Sequence, residues 1–204
     1  MIYIKKINFF TLLISCFLYS PTLLANQSTH KIEILVNDNI ITNYDISQHF
    51  VINSILENID VKSENNAYLY NKTVNDLIDM KLQQEKIEVY DIQVEEENSV
   101  YYEDYFFQSN KLDKNKIFQI IKDNGLDFNI LKEKINTSIA WERLTRGLFL
   151  HTISISESEV KELLKSDDSL SPELARRILT NKQVQLKSEK YLRDLRAEAN
   201  IEKR

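Results

Sequence analysis

Residues that make tight turns are scarce in this sequence, which has two glycines and two prolines among its 204 residues. β-Sandwiches, Rossmann folds and barrels need many tight turns, so this scarcity argues against them. Gly125 and Gly147 stand too far apart to form a glycine-rich phosphate-binding loop. The composition therefore favours α-helices joined by turns of Asn, Asp and Ser.

Metal-ligating and redox-active residues are also rare, with one cysteine and three histidines. A single cysteine cannot form an internal disulfide. His30, His49 and His151 do not occur in an HExxH spacing and the chain has no CxxC pair, which argues against a zinc site. The GxSxG signature of a nucleophilic serine is also absent. These absences predict a protein that uses no metal or cofactor.

The longest apolar run of the chain stands at its N-terminus. Residues 1–25 combine two lysines, an apolar stretch over residues 7–19, a helix-breaking proline and the small residue Ala25. This pattern predicts a secretory signal peptide cleaved near Ala25, and a mature chain outside the cytoplasm without a membrane span. One alternative is an uncleaved membrane anchor, for which the run is short. The other is a lipoprotein anchored through Cys16, against which the apolar residues beyond Cys16 argue.

Acidic residues outnumber basic ones, and the two kinds are unevenly distributed. Without the two lysines of the leader, the chain has 24 basic and 31 acidic residues, and this excess of negative charge disfavours nucleic acid as a partner. Residues 85–104 contain eight acidic residues and one basic residue, whereas residues 172–204 contain nine basic and five acidic ones. Either these are two solvated faces, or the basic C-terminal segment lies near the acidic N-terminal body.

Apolar periodicity predicts a strand at each end of the mature chain and helices between them. Residues 31–36 form the first strand, residues 37–39 turn, and Ile40 and Ile41 return as a short second strand. Thr42 or Asn43 caps the helix that follows, which carries Ile46, Phe50 and Ile55 on its core face. Further helices are expected at about residues 65–87, 94–109, 112–125, 127–150, 157–164 and 172–197. Asp127, Ser156 and Ser171 are the expected caps of the last three. The stretch 197–204 forms a last strand through Ile201.

The apolar stripes of the longer helices predict which side chains are buried. The stripe of the helix over residues 65–87 consists of Ala67, Tyr70, Val74, Leu77, Ile78, Lys81 and Leu82. The stripe of the last helix consists of Leu174, Ile178, Leu179, Leu186, Leu192 and Leu195. Because two isolated strands are not stable alone, the first and last strands are expected to pair. The predicted fold is mainly α, a compact helical body with a small β element made by the N- and C-terminal strands.

Four segments, taken in order, form a recognisable pattern. They read ILVNDNIITNYDIS, VNDLIDMKLQQEKIEVYDIQV, FNILKEKINTSIAWERLTRGLFLHTISISESEV and ARRILTNKQVQLKSEKYLRDLRAEANIE. In this order they resemble the opening hairpin and first helix, the most recognisable helix, the long helix with its successor, and the C-terminal helix and strand of the SurA family of periplasmic chaperones. The resemblance implies a periplasmic chaperone domain over residues 26–165, completed by residues 172–204.

The parvulin prolyl-isomerase domains of that family have no counterpart in this chain. In the family they lie before the C-terminal helix, where this chain has only a short linker over residues 166–171. The family also implies a Gly-Gly turn and paired histidines, and both are absent. The isomerase activity is therefore not carried over, and the chain is expected not to be an enzyme. A degenerate parvulin-type isomerase is the least favoured alternative.

The resemblance implies a holdase that binds unfolded outer-membrane proteins in transit, with the outer-membrane assembly machinery as a further candidate partner. Such clients present strands with an apolar and aromatic face, so a holdase needs an exposed apolar surface. The candidate surface is a cluster of rings flanked by acidic residues: Tyr101, Tyr102, Tyr105, Phe106 and Phe107. Five rings at helical spacing surround much of a helix, so some should remain exposed. The alternative is that all five are core.

A different class of function is equally compatible with the sequence. The same fold could hold one fixed partner as an adaptor or structural protein of the cell envelope. Trp141 is expected in the core rather than in a ligand site, since large aromatic residues are mostly buried.

Overall fold

The N-terminal alternation of apolar residues forms a hairpin, as predicted. The structure is a computed structural model that describes residues 30–59 and 66–204; the predicted leader, residues 1–25, lies outside the described residues. Strands β1 (Ile32–Val36) and β2 (Asn39–Thr42) pair in antiparallel fashion. Asn37 turns the chain with a φ of 52°, a left-handed conformation that Asn tolerates. This geometry buries Ile34, Val36 and Ile41 on one face.

Seven α-helices follow the hairpin in the described part of the chain. They are α1 (Asn43–Leu56), α2 (Asn66–Val89), α3 (Glu96–Ser109), α4 (Lys114–Asp123), α5 (Phe128–Phe149), α6 (Glu157–Ser166) and α7 (Pro172–Glu198). A 3-10 turn, Leu150–Thr152, extends the end of α5. Thr42, Asp127, Ser156 and Ser171 accept hydrogen bonds from the first turns of their helices, so the predicted caps are confirmed.

The two ends of the described chain meet in one small sheet. Strand β3 (Ile201–Lys203) pairs in antiparallel fashion with β1, giving the strand order β2-β1-β3. Val36 lies opposite Ile201, and the backbone N–H of Asn37 donates to the carbonyl of Asn200 at 2.8 Å. The predicted pairing of the first and last strands is therefore confirmed, and the protein is mainly α with a small antiparallel sheet.

Three groups of apolar side chains form the core. The first joins the sheet to α1 and α2, and α7 contributes Leu192 to its edge. The second joins α1, α3, α4 and α5 around Ile52 and Leu131. The third joins α5 to α7, where Trp141 stacks on Tyr191 with ring centroids 5.6 Å apart. Trp141 is a core residue, as predicted.

Two predicted apolar stripes differ from the structure. In α2, Ala67 and Tyr70 are exposed, whereas Leu69 and Thr73 are fully buried, because the first half of this helix packs against α1. In α7, Ile178 and Leu186 are exposed, whereas Ala175, Val184 and Leu195 are buried. The neighbours of α7 determine which of its faces is buried, because the helix packs against α6, α5 and α2.

The basic C-terminal helix lies against the N-terminal body, in line with the second interpretation of the charge distribution. Arg196 of α7 donates to Asp79 Oδ1 at 2.5 Å and to Asn75 Oδ1 at 2.6 Å, and both acceptors belong to α2. Asp79 precedes the acidic segment 85–104, so these two hydrogen bonds do not involve the acidic run itself. Within residues 30–59 and 66–204, no helix combines the length and apolar character needed to cross a bilayer.

Candidate functional site

The aromatic cluster of α3 is divided between the surface and the core. Tyr101 and Tyr105 lie one helical turn apart and are exposed, with 66% and 61% of their surface accessible. Tyr102 and Phe106 are half-buried. Because the five rings surround much of the helix, the structure exposes some of them, and the alternative that all five are core is wrong.

Phe107 does not belong to the exposed surface. Its side chain is 2% exposed and lies in the second core group with Ile117, Ile121 and Leu131. It stands edge-on to Phe106, with ring centroids 5.4 Å apart. Phe107 faces α4 and α5, and its ring anchors α3 to the body. It therefore does not belong to the candidate surface.

The other four rings line a groove between α3 and α5 with a volume of about 400 Å³. They supply the α3 side of the groove, together with Ser109. Helix α5 supplies the remaining lining: Ile135, Ser138, Ile139 and Glu142. The groove is thus mainly apolar and aromatic, and besides the tyrosine hydroxyls its polar side-chain groups are two serine hydroxyls and one carboxylate.

Arg143 holds one ring of this groove in place. Its Nη2 donates to the hydroxyl of Tyr102 at 2.9 Å, and its Nη1 donates to the carbonyl of Gln93 at 2.9 Å. The guanidinium carbon lies 5.2 Å from the centroid of the Tyr102 ring, within cation–π range. Tyr101 stands edge-on to Tyr102 at 5.4 Å. This wall of the groove is therefore preorganised by side-chain contacts.

The acidic residues that follow the first rings connect α3 to α4. Lys114 Nζ lies 2.7 Å from Asp104 Oδ1 and 3.4 Å from Oε2 of Glu103, which is 7% exposed. The hydrogen bond to Asp104 is the main cause that raises the pKa of Lys114. Glu142, on α5, is the acidic side chain that lines the groove itself.

A second, polar cavity lies where α1, α2 and α5 meet, with a volume of about 260 Å³. Its polar lining comes from all three helices and includes His49, Asn53, Thr73, Asp76, Lys134 and Thr137. Lys134 Nζ donates to Asn53 Oδ1 at 2.6 Å, and Asn53 Nδ2 donates to Thr73 Oγ1 at 3.0 Å. These hydrogen bonds join the three helices through buried polar groups.

This polar junction is the feature that the sequence reasoning missed. Asn53 and Thr73 are 2% and 0% exposed, although polar residues are mostly found at the surface. The spacing along α1 could have indicated this junction. His49 stands three residues after the buried Ile46, and Asn53 stands four residues after His49, so all three lie on the core face of the helix. Polar residues on the core face of one helix imply polar partners on its neighbours.

No protein-family model matches the chain, and no curated protein matches it.

Proposed function

We propose that this protein is a periplasmic holdase of the SurA type, which binds unfolded outer-membrane proteins in the groove between α3 and α5 without catalysis. The exposed pair Tyr101 and Tyr105 beside this groove is the observation that carries the proposal. Contiguous apolar patches on a protein surface mark interaction sites. Tyrosine suits such a surface, because its rigid ring offers a large contact area at a low cost in conformational entropy.

The spacing of the rings favours an extended polypeptide as the occupant. Tyr101 and Tyr105 are four residues apart, which is about 6 Å along the axis of an α-helix. In an extended strand, side chains on the same face recur about every 6.8 Å. Strands of outer-membrane barrels place their apolar and aromatic residues on one face. Successive apolar side chains of an unfolded client can therefore contact successive rings of α3.

The polar groups of the groove suit the backbone of such a client. An extended chain presents unpaired N–H and C=O groups that require hydrogen-bond partners. Ser109, Ser138 and Glu142 line the same groove as the rings. Their hydroxyl and carboxylate oxygens can accept hydrogen bonds from backbone N–H groups of the client without selecting its sequence.

The fold also supports the resemblance on which the proposal rests. The opening hairpin, the order of the helices and the C-terminal helix with its strand are those that the resemblance implies. Five residues, 167–171, connect α6 to α7, so no isomerase domain is inserted between these helices. Export through the predicted leader and a periplasmic location are part of this proposal.

The test is a variant that removes the exposed rings and keeps the half-buried ones. Tyr101→Ser combined with Tyr105→Ser should weaken binding of an unfolded outer-membrane protein about ten-fold, or about 1.4 kcal/mol. Suppression of client aggregation, measured by light scattering, should then require correspondingly more chaperone. The melting temperature should change little, because both side chains are exposed. Tyr102 and Phe106 stay unchanged, because their removal would also disturb packing.

The matched control removes two exposed tyrosines elsewhere. Tyr68 and Tyr90 are 67% and 49% exposed and lie outside the groove lining. Tyr68→Ser combined with Tyr90→Ser should leave suppression unchanged. An equal loss in both variants, or no loss in either, would contradict the proposed groove. Capture of one stoichiometric partner from periplasm, in place of many outer-membrane proteins, would favour the fixed-partner adaptor.

A further inference from the structure

A second hollow adjoins the aromatic groove on the other side of α5. It lies between α5 and α7 and has a volume of about 330 Å³. The two hollows share the side chains of Ser138 and Glu142, which stand one turn apart on α5 and are both exposed. These two side chains therefore form a ridge, with the aromatic groove on its α3 side and the α5–α7 hollow on its α7 side.

The α5–α7 hollow differs from the aromatic groove in the side chains that line it. Besides the ridge, its lining consists of Trp141, Thr145 and Arg146 from α5 and of Asn181, Val184, Gln185 and Ser188 from α7. Trp141 and Val184 are buried, so the more accessible side chains of the lining carry hydroxyl, amide or charged groups. The charges are matched, because Arg146 Nη2 lies 3.9 Å from Glu142 Oε1. The lining is thus rich in hydrogen-bonding groups and has no net charge.

Two amides of α7 are available to a ligand in this hollow. Asn181 and Gln185 are exposed and stand four residues apart, which is about 6 Å along the helix axis. Arg146 Nη2 donates to Asn181 Oδ1 at 2.8 Å, and Gln185 Nε2 donates to Glu189 Oε1 at 3.0 Å. These contacts use the oxygen of one amide and the nitrogen of the other. Asn181 therefore still offers N–H donors, and Gln185 still offers an acceptor oxygen.

The strands of outer-membrane barrels have two chemically different faces. Their side chains alternate between an apolar face towards the lipid and a polar face towards the barrel interior. The backbone N–H and C=O groups of a strand point sideways, between these two faces. A strand whose backbone edge lies on the ridge of Ser138 and Glu142 therefore directs one face towards the rings of α3 and the other towards the amides of α7.

We propose that the α5–α7 hollow binds the polar face of an outer-membrane client strand while the apolar face of the same strand contacts the rings of α3. This inference rests on the proposed function, because it adds a second wall to the same client site. Asn181 and Gln185 have the same four-residue spacing as Tyr101 and Tyr105, so each wall can contact successive side chains on one face of the strand. A site with two such walls distinguishes amphipathic strands from segments that are apolar on both faces.

Two short peptides of equal composition test the second wall in the full mature chain. One alternates leucine and threonine, and the other joins a block of leucines to a block of threonines. As a strand, only the alternating peptide places all its leucines on one face and all its threonines on the other. The wild type should therefore bind the alternating peptide more tightly, as measured by the fluorescence anisotropy of a fluorescein label.

The variant Asn181→Ala combined with Gln185→Ala removes both amides of the second wall. It should weaken binding of the alternating peptide about five-fold, the order expected for one or two lost hydrogen bonds. Its affinity for the block peptide and its melting temperature should stay the same, because both positions are exposed. The matched control, Asn115→Ala combined with Gln119→Ala, removes two exposed amides at the same spacing on α4 and should leave both affinities unchanged.

The second wall is overturned if the wild type binds the two peptides equally, if the α7 variant keeps its affinity for the alternating peptide, or if it loses affinity for both peptides equally. In each of these cases, weaker peptide binding by Tyr101→Ser combined with Tyr105→Ser still supports the groove of the proposed function. If this tyrosine variant binds both peptides like the wild type, the groove itself is contradicted, and the second wall with it.

Discussion

At the residue scale, burial changes the chemistry of His49. The pKa of its imidazole is lowered, first by burial and then by the positive charge of Lys134, with a smaller contribution from Lys81. Glu133 and Asp45 act in the opposite direction. The folded protein therefore holds the neutral form of His49 to a lower pH than the unfolded chain does.

This shift predicts a pH-dependent stability that His49→Gln removes. Below the unfolded value of about 6.5, the unfolded state binds a proton at this position more readily than the folded state does. The free energy of unfolding of the wild type should therefore fall, relative to that of His49→Gln, as the pH drops from about 7.5 through 6.5 and further towards the folded pKa. Urea unfolding at a series of pH values measures this difference.

His151→Gln is the matched control, because His151 is exposed. Its unfolding free energy should follow that of the wild type at every pH. The difference in unfolding free energy between wild type and His49→Gln should change with pH. If it stays constant from about pH 8 to 5.5, the lowered pKa of the buried imidazole is contradicted, because its titration would then have no effect on stability.

At the element scale, local chemistry determines where the helices begin. Thr42 and Asp45 form a reciprocal capping box at the start of α1: the Thr42 hydroxyl accepts from the Asp45 N–H at 3.1 Å, and Asp45 Oδ2 accepts from the Thr42 N–H at 2.8 Å. Ser156 and Glu159 form the same motif at α6. The two helices differ in their packing, because α1 contributes several buried residues and α6 contributes only Val160 among its described side chains.

The capping box of α1 should contribute more to global stability than that of α6. Thr42→Ala should lower the free energy of unfolding by about 1 kcal/mol, the usual effect of losing an N-cap side chain. Ser156→Ala should lower it less, because α6 can fray while the core remains folded. Chemical denaturation measures both values. An effect of Ser156→Ala equal to or larger than that of Thr42→Ala would show that α6 belongs to the cooperative core.

Elements that depend on nearby residues were predictable from the sequence, whereas tertiary contacts were not. The hairpin, the four caps and the ends of α5 and α7 follow from alternation, turn residues and cap side chains. The buried face of α2 does not follow from the sequence, because packing against α1 buries Leu69 and Thr73 and leaves Tyr70 exposed. The groove was predicted only as a set of rings. Its α5 wall and the burial of Phe107 depend on how α3 packs.

At the scale of the whole molecule, α7 and β3 complete the body formed by the earlier elements. Leu192 and Ile201 pack on the first core group, and Leu195 belongs to the third. Strand β3 pairs with β1, which would otherwise be an edge strand. The C-terminal segment thus completes the body that carries the aromatic groove. It follows α6 after a connection of five residues. In this arrangement α3 packs against α4 and α5 and leaves the rings of Tyr101 and Tyr105 exposed.

Site-specific photo-crosslinking tests the central claim, that unfolded outer-membrane proteins bind in the groove between α3 and α5. A photoreactive phenylalanine replaces Tyr105 in the groove or, as the control, the equally exposed Tyr68 on α2. After irradiation in the periplasm, the account predicts adducts with many different outer-membrane proteins from position 105 and few from position 68. Adducts that are equally abundant from both positions, or a single adduct with one partner from position 105, would contradict it.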